Sequence, residues 1–201
     1  MGFIEMYCFT KGSGKMIIAY LAILVLEKVF KIEGGVGLGS QPLSALKEEK
    51  LKNTTVSTGF ISMKGDLKHC LEDGSISKSL ESFKNGNVKC ILGHPESWLS
   101  SSAKEILASL QTQGKIVFTF VDEFHMNLSN HWGEEFRPHM KTVPGVLRGK
   151  AVKGAPYLAM SATSTKAEIG ELKVNHGLRE TNTVVLNTTP IQSHFNYVKL
   201  R

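Results

Sequence analysis

KIVFTFVD, residues 115–122, is the stretch that decides the fold. Apart from Thr119, Ile116 to Val121 are apolar at odd and even positions alike, so both faces of the strand they form must be covered. APYLAMSA (155–162) reads the same way. Around these two, FIEMYCF (3–9), NTTVSTGFIS (53–62), VKCILG (88–93) and NTVVLN (182–187) have strand character, and residues 15–31, 42–52, 71–84, 103–113 and 166–176 have helical character. This alternation predicts an α/β fold, a three-layer doubly wound domain whose sheet is mostly parallel. GGVGLGS (34–40) is glycine-rich and at best a weak strand, and no internal repeat is present.

With 201 residues, the chain fits one domain and can bury roughly 70% of its unfolded surface in a single core. Its 41% apolar and 21% charged content is that of a globular protein. Twenty-four Lys and Arg against eighteen Asp and Glu give a net charge of +6. That balance favours polyanionic partners, with a merely basic surface as the alternative. Cys8, Cys70 and Cys90 are odd in number, widely spaced and without a CxxC pair, which argues against a disulfide framework or a zinc site and for a reducing compartment. IIAYLAILVL (17–26) is too short for the roughly 20 residues that span a bilayer, so a buried helix is expected there. No small-residue cleavage pattern follows it, and Met6 stands where a myristoylation signal needs Ser or Thr.

In a doubly wound sheet, ligands gather at the carboxyl ends of the strands, so the segments that follow the strands carry the chemistry. After the first strand comes FTKGSGKM (9–16) and then a helix. Thr10, Lys11, Gly12, Ser13, Gly14, Lys15 and Met16 can cradle a phosphate with backbone amides, the helix dipole and the Lys15 ammonium; a plain glycine turn is the alternative. Met16 stands where the phosphate-loop pattern has a Ser or Thr that ligates Mg²⁺, and a thioether is a poor ligand for a hard cation. Asp122 and Glu123 end another strand, where an Asp can hold Mg²⁺ and a Glu can orient and deprotonate water. Solvated or capping acids are the alternative there, as a local hydrogen bond is for His125. Ser161, Ala162 and Thr163 end a third strand and would otherwise be a turn with hydroxyl caps.

Taken in order, these residues resemble the first motor lobe of superfamily 2 helicases, most closely the RecQ family of DNA helicases. FTKGSGKM is similar to that family's phosphate loop, VDEFH (121–125) to its DEAH box and MSATST (160–165) to its SAT element. SQPLSALKEEKLK (40–52) is similar to its SPLxSLxxDQ motif and ILGHPESWL (91–99) to the strand ending in APERL. HWGEEFRPHM (131–140) resembles the aromatic-rich loop QWGHDFRPxY, which is far more specific to the family than the acid box. HFNYVKL (194–200) resembles the segment leading into the second lobe.

The resemblance implies an ATP-binding lobe that uses ATP and Mg²⁺ and acts on single-stranded or partly duplex DNA, unwinding it 3′ to 5′ in the nucleus. By the same resemblance, Lys15, Asp122, Glu123 and His125 are catalytic, and Asp122 holds the metal. His131, Trp132, Phe136 and Arg137 contact DNA, and Ser161, Ala162 and Thr163 couple DNA to nucleotide. A base stacked on an aromatic contributes roughly 1 to 3 kcal/mol. The match has departures: the spacing from His125 to Trp132 exceeds the family's, and His131 replaces its Gln. Residues 1–201 are expected to be the first lobe alone, without the second lobe or the upstream adenine-reading segment. Such a lobe is expected to show little ATPase or unwinding activity. The alternative is a non-catalytic nucleic-acid-binding remnant.

Overall fold

The computed structural model describes residues 4–8, 15–41, 56–71, 75–127, 138–161, 166–175 and 183–187. They form a nine-stranded sheet in the order β5-β4-β3-β6-β2-β7-β8-β1-β9. The strands are β1 (Ile4–Cys8), β2 (Val36–Ser40), β3 (Thr58–Ile61), β4 (Leu67–Cys70), β5 (Ile76–Ser77), β6 (Cys90–Gly93), β7 (Ile116–Val121), β8 (Tyr157–Ser161) and β9 (Thr183–Asn187). From β3 to β9 across the sheet every pairing is parallel, and the antiparallel pairings, β3 with β4 and β4 with β5, lie at one edge. The carboxyl ends of seven strands therefore share one edge.

Helices cover both faces, as the two-sided burial of β7 requires. On one face, α1 (Lys15–Phe30) lays Ala19 and Ile23, both fully buried, over β2 and β7 with Val117, Phe118 and Phe120. On the other, α3 (Ser101–Thr112) and α4 (Val143–Lys150) enclose Ile106, Leu107, Leu110, Val143 and Leu147 with Val36, Leu38 and Ile91. Two further α-helices are described, α2 (Leu80–Lys84) and α5 (Lys166–Asn175). Local chemistry sets the bounds of α3. The Ser100 hydroxyl accepts from the Ala103 amide at 3.2 Å, and Gly114, at φ +63°, lets the chain turn out of the last turn.

The sequence expectations needed three corrections. First, residues 71–84 do not form one helix: β5 lies among them, and the Ser79 cap confines the helix to Leu80–Lys84. Gly74 and a run of serines disfavour helix there, and the antiparallel ladder of β3, β4 and β5 supplies the competing hydrogen bonds. Second, the weak candidate GGVGLGS contains β2, a central strand buried at all five positions. Third, α1 is not buried all round. Ile17, Leu21, Val25 and Val29 are each more than half exposed, because the sheet covers only one side of the helix. Helix α4 has no counterpart in the sequence expectations, since Pro144, Gly145 and Gly149 all lower helix propensity. Among the described residues, no helix is long and apolar enough to cross a membrane. The expected helix at 42–52 lies outside the described residues.

Glu27 ties the end of α1 to the sheet. Its Oε1 accepts from the Gly34 amide at 2.8 Å and pairs with Lys89, which precedes β6. Burial works to raise the Glu27 carboxyl, but the hydrogen bonds from Lys89 and Gly34 outweigh it, and the net shift is downward. A carboxyl depressed in the folded state stabilises above its unfolded pKa and loses that contribution as pH falls through the folded value. Glu27→Gln is therefore expected to lower neutral-pH stability by on the order of 1 kcal/mol, a modest figure because the pair is partly solvated. Melting curves of the two proteins should converge as pH falls through the depressed folded-state value of Glu27.

Candidate functional site

Parallel pairing sets the site, because it puts the ends of β1, β8, β7 and β2 side by side. Cys8 pairs with Ser161, Val121 with Ala159 and Ser40 with Val121. One residue beyond β7, the Asp122 amide donates to the Ser40 carbonyl at 2.9 Å, so the acid begins where two strand ends are locked together. The Glu123 amide donates to Asp122 Oδ1 at 3.0 Å. Glu123 itself sits at φ +53°, a left-handed conformation that is costly for a residue with a Cβ and concentrates at functional sites. The turn thus holds both acids at the end of the buried strand, each partly exposed.

Behind them, Phe124 is fully buried against Val121, Tyr157, Ala159 and Ile169, which anchors the short helix Phe124–Asn127 to the sheet. That anchor presents His125 to the end of β8. Its Nδ1 lies 2.8 Å from Ser161 Oγ and 3.4 Å from Glu123 Oε2. The imidazole thus shares a hydrogen bond with the fully buried Ser161 hydroxyl and has the Glu123 carboxylate beside it. The acid turn after β7 and the end of β8 are joined through this one imidazole.

Lys15 is the first residue of α1, the helix that follows β1, and so belongs to the same edge. Met16, the next residue, is half-buried, and its sulfur accepts from Gln41 Nε2 at 2.9 Å. Gln41, directly after β2, is a site residue that the sequence reading did not single out. It stands inside SQPLSALKEEKLK, but nothing in that string signals a contact with a residue 25 positions earlier.

Of the residues expected at the site, Asp122, Glu123, His125 and Ser161 come together, and Lys15 and Met16 open the helix beside them. Thr10, Lys11, Gly12, Ser13, Gly14, His131, Trp132, Phe136, Arg137, Ala162 and Thr163 lie outside the described residues. The donor chemistry suits magnesium, which takes one or two carboxylates and fills its remaining positions with phosphate oxygens and water. Asp122 offers such a carboxylate. Among the described residues, no group of three or more His, Cys, Asp or Glu side chains forms a separate metal cage.

These features define an α/β lobe with acidic, imidazole and hydroxyl groups gathered at one edge of its sheet, and comparison with known proteins gives its family. The chain belongs to the DEAD/DEAH box helicases, whose family model matches residues 6–172. Domains of this family use ATP with Mg²⁺. The fold is that of a RecA-like helicase domain, a mostly parallel sheet flanked by helices. One similar solved structure is the Pyrococcus furiosus Hef helicase domain, at 16% identity and a TM-score of 0.52, covering 94% of this chain and 36% of that one. Another is the DUF1998 helicase MrfA bound to DNA, at 16% identity and a TM-score of 0.60, covering 93% of this chain and 25% of that one. The same helicase bound to DNA and AMPPNP matches at 17% identity with the same TM-score of 0.60. At such identities the likeness concerns the fold, and the chain spans about a quarter to a third of these structures. No curated protein gives a significant sequence match.

Proposed function

We propose that this chain is the ATP-binding lobe of a RecQ-like 3′ to 5′ DNA helicase, working in DNA repair and recombination in the nucleus. The observation that carries the reading is the His125–Ser161 bond at 2.8 Å, because it joins the acid turn to the strand end where nucleotide state would be passed on. Lys15 and the amides of residues 10–14 hold the phosphates. Asp122 ligates Mg²⁺, and Glu123 positions and deprotonates the attacking water. Through His125, Ser161 and its neighbours Ala162 and Thr163 link that centre to DNA. The RecQ-like part rests on residues 131–140, where His131, Trp132, Phe136 and Arg137 offer a stacking and cationic surface to an unpaired strand.

In this reading the lobe works against a second lobe that supplies an arginine to the transferring phosphate. Such an arginine contributes about 10³ to 10⁵ in rate in related enzymes, so one lobe on its own hydrolyses slowly. A non-catalytic DNA-binding remnant is the second reading, and the sulfur of Met16 at the metal-facing position favours it. The two readings separate on Met16→Ser. With a second helicase lobe supplied in trans, the helicase reading expects this variant to show higher DNA-stimulated ATPase activity than wild type. A wild-type chain that binds single-stranded DNA but no nucleotide would favour the remnant.

A further inference from the structure

Met16 sets a chemical problem: the first turn of α1 presents sulfur where a magnesium-binding lobe needs a hard oxygen. Gln41 is the residue that meets this sulfur. It is 8% exposed, and the peptide unit that precedes it is held at both its N–H and its C=O. Its own amide donates to the Gly93 carbonyl at 3.0 Å, and the preceding Ser40 carbonyl accepts from Asp122 at 2.9 Å. Its side chain lies with Nε2 2.9 Å from Met16 Sδ.

A thioether sulfur has lone pairs and no hydrogen, so it can only accept. Only the NH₂ end of the Gln41 amide can face it. The carbonyl end, Oε1, is thereby turned away from Met16 and accepts no hydrogen bond from a described residue. An amide oxygen is a neutral, hard donor of the kind that Mg²⁺ or a water in its coordination shell accepts. This one sits just past β2, the strand next to β7, whose end carries Asp122. A buried side chain with its preceding peptide unit held and one amide end already committed has little rotamer freedom left to lose on binding.

We infer that Gln41 is a specificity-determining residue of the nucleotide site, its Oε1 serving Mg²⁺ or a metal-bound water in place of the Ser or Thr hydroxyl that Met16 displaces. The inference rests on the nucleotide-binding reading above. It reassigns Met16 from a defect to the group that orients Gln41.

The test is titration of the purified chain with a fluorescent N-methylanthraniloyl ATP, once in excess Mg²⁺ and once in EDTA. Its readout is the dissociation constant in EDTA divided by that in Mg²⁺, which reports metal preference without any need for turnover. Gln41→Ala, and Gln41→Leu if the smaller residue loosens the fold, should lower that ratio about tenfold while leaving the metal-free constant unchanged. Adding Met16→Ser to Gln41→Ala should restore it, because the serine hydroxyl returns a hard oxygen to the first turn. A ratio unchanged by both Gln41 substitutions, with nucleotide still bound, would overturn the role of Gln41 alone. If the wild-type chain binds nucleotide in neither condition, the underlying reading falls and this inference falls with it.

Discussion

Gly39→Ala is expected to destabilise the protein by about 3 kcal/mol, the upper part of the usual range for overpacking a filled core. A Cβ built on Gly39 lies 2.5 Å from Phe120 Cε2 and 2.7 Å from Leu92 Cδ2, and both side chains are fully buried. Neither ring nor branch has room to retreat, since α1 closes that face from above. Gly37, two residues earlier on the same face, meets Ile23 of α1 in the same way. The control is Gly145→Ala in α4, where nothing lies within 4 Å of the new methyl group. That substitution should be neutral or stabilise by up to about 1 kcal/mol through helix propensity. Denaturant midpoints of the two variants should move in opposite directions, or at least differ by most of this sum. Equal midpoints would mean that β2 does not pack between α1 and its neighbouring strands as described.

The second large effect is expected at Asp122. Asp122→Asn keeps the shape and can still accept from the Glu123 amide, but it removes the charge. Substitution of groups that merely support a metal ligand costs about 10- to 100-fold in metal affinity, so losing the carboxylate itself should weaken Mg²⁺-dependent nucleotide binding by on the order of 100-fold. Binding in EDTA should change little. Calorimetric titration with and without Mg²⁺ distinguishes this pattern from a general loss of nucleotide affinity, which would instead indicate a collapsed turn.

The glycines that make Gly39→Ala costly also explain what the sequence could and could not disclose. Strand β7 was legible because Ile116 to Val121 carry their burial as apolar side chains on both faces. Strand β2 is buried just as fully, yet on the α1 face it contributes only Gly37 and Gly39, and the filling side chains come from Ile23, Phe120 and Leu92. Burial supplied by neighbours leaves no hydrophobic signal in the strand itself. The antiparallel edge was illegible for a related reason: β5 is two residues long, and its hydrogen bonds depend on a strand already laid down beside it. At the site, the acid turn was readable because it directly follows a strong strand. The partner of His125 was a matter of topology, since 36 residues separate it from Ser161 and only the pairing of β7 with β8 brings them together. Gln41 was less legible still. Its contact requires β2, the strand whose glycines conceal it.

The central claim is that one edge of the sheet, formed by the ends of β1, β2, β7 and β8, receives the nucleotide with its metal. Hydrogen–deuterium exchange with and without Mg²⁺ and a non-hydrolysable ATP analogue tests it most directly. Slowed exchange is expected in peptides covering residues 9–19, 39–42, 121–127 and 160–165, with little change at the opposite edge in residues 33–35 and 152–156. Protection centred on that opposite edge, or none at saturating analogue in a folded chain, would contradict it.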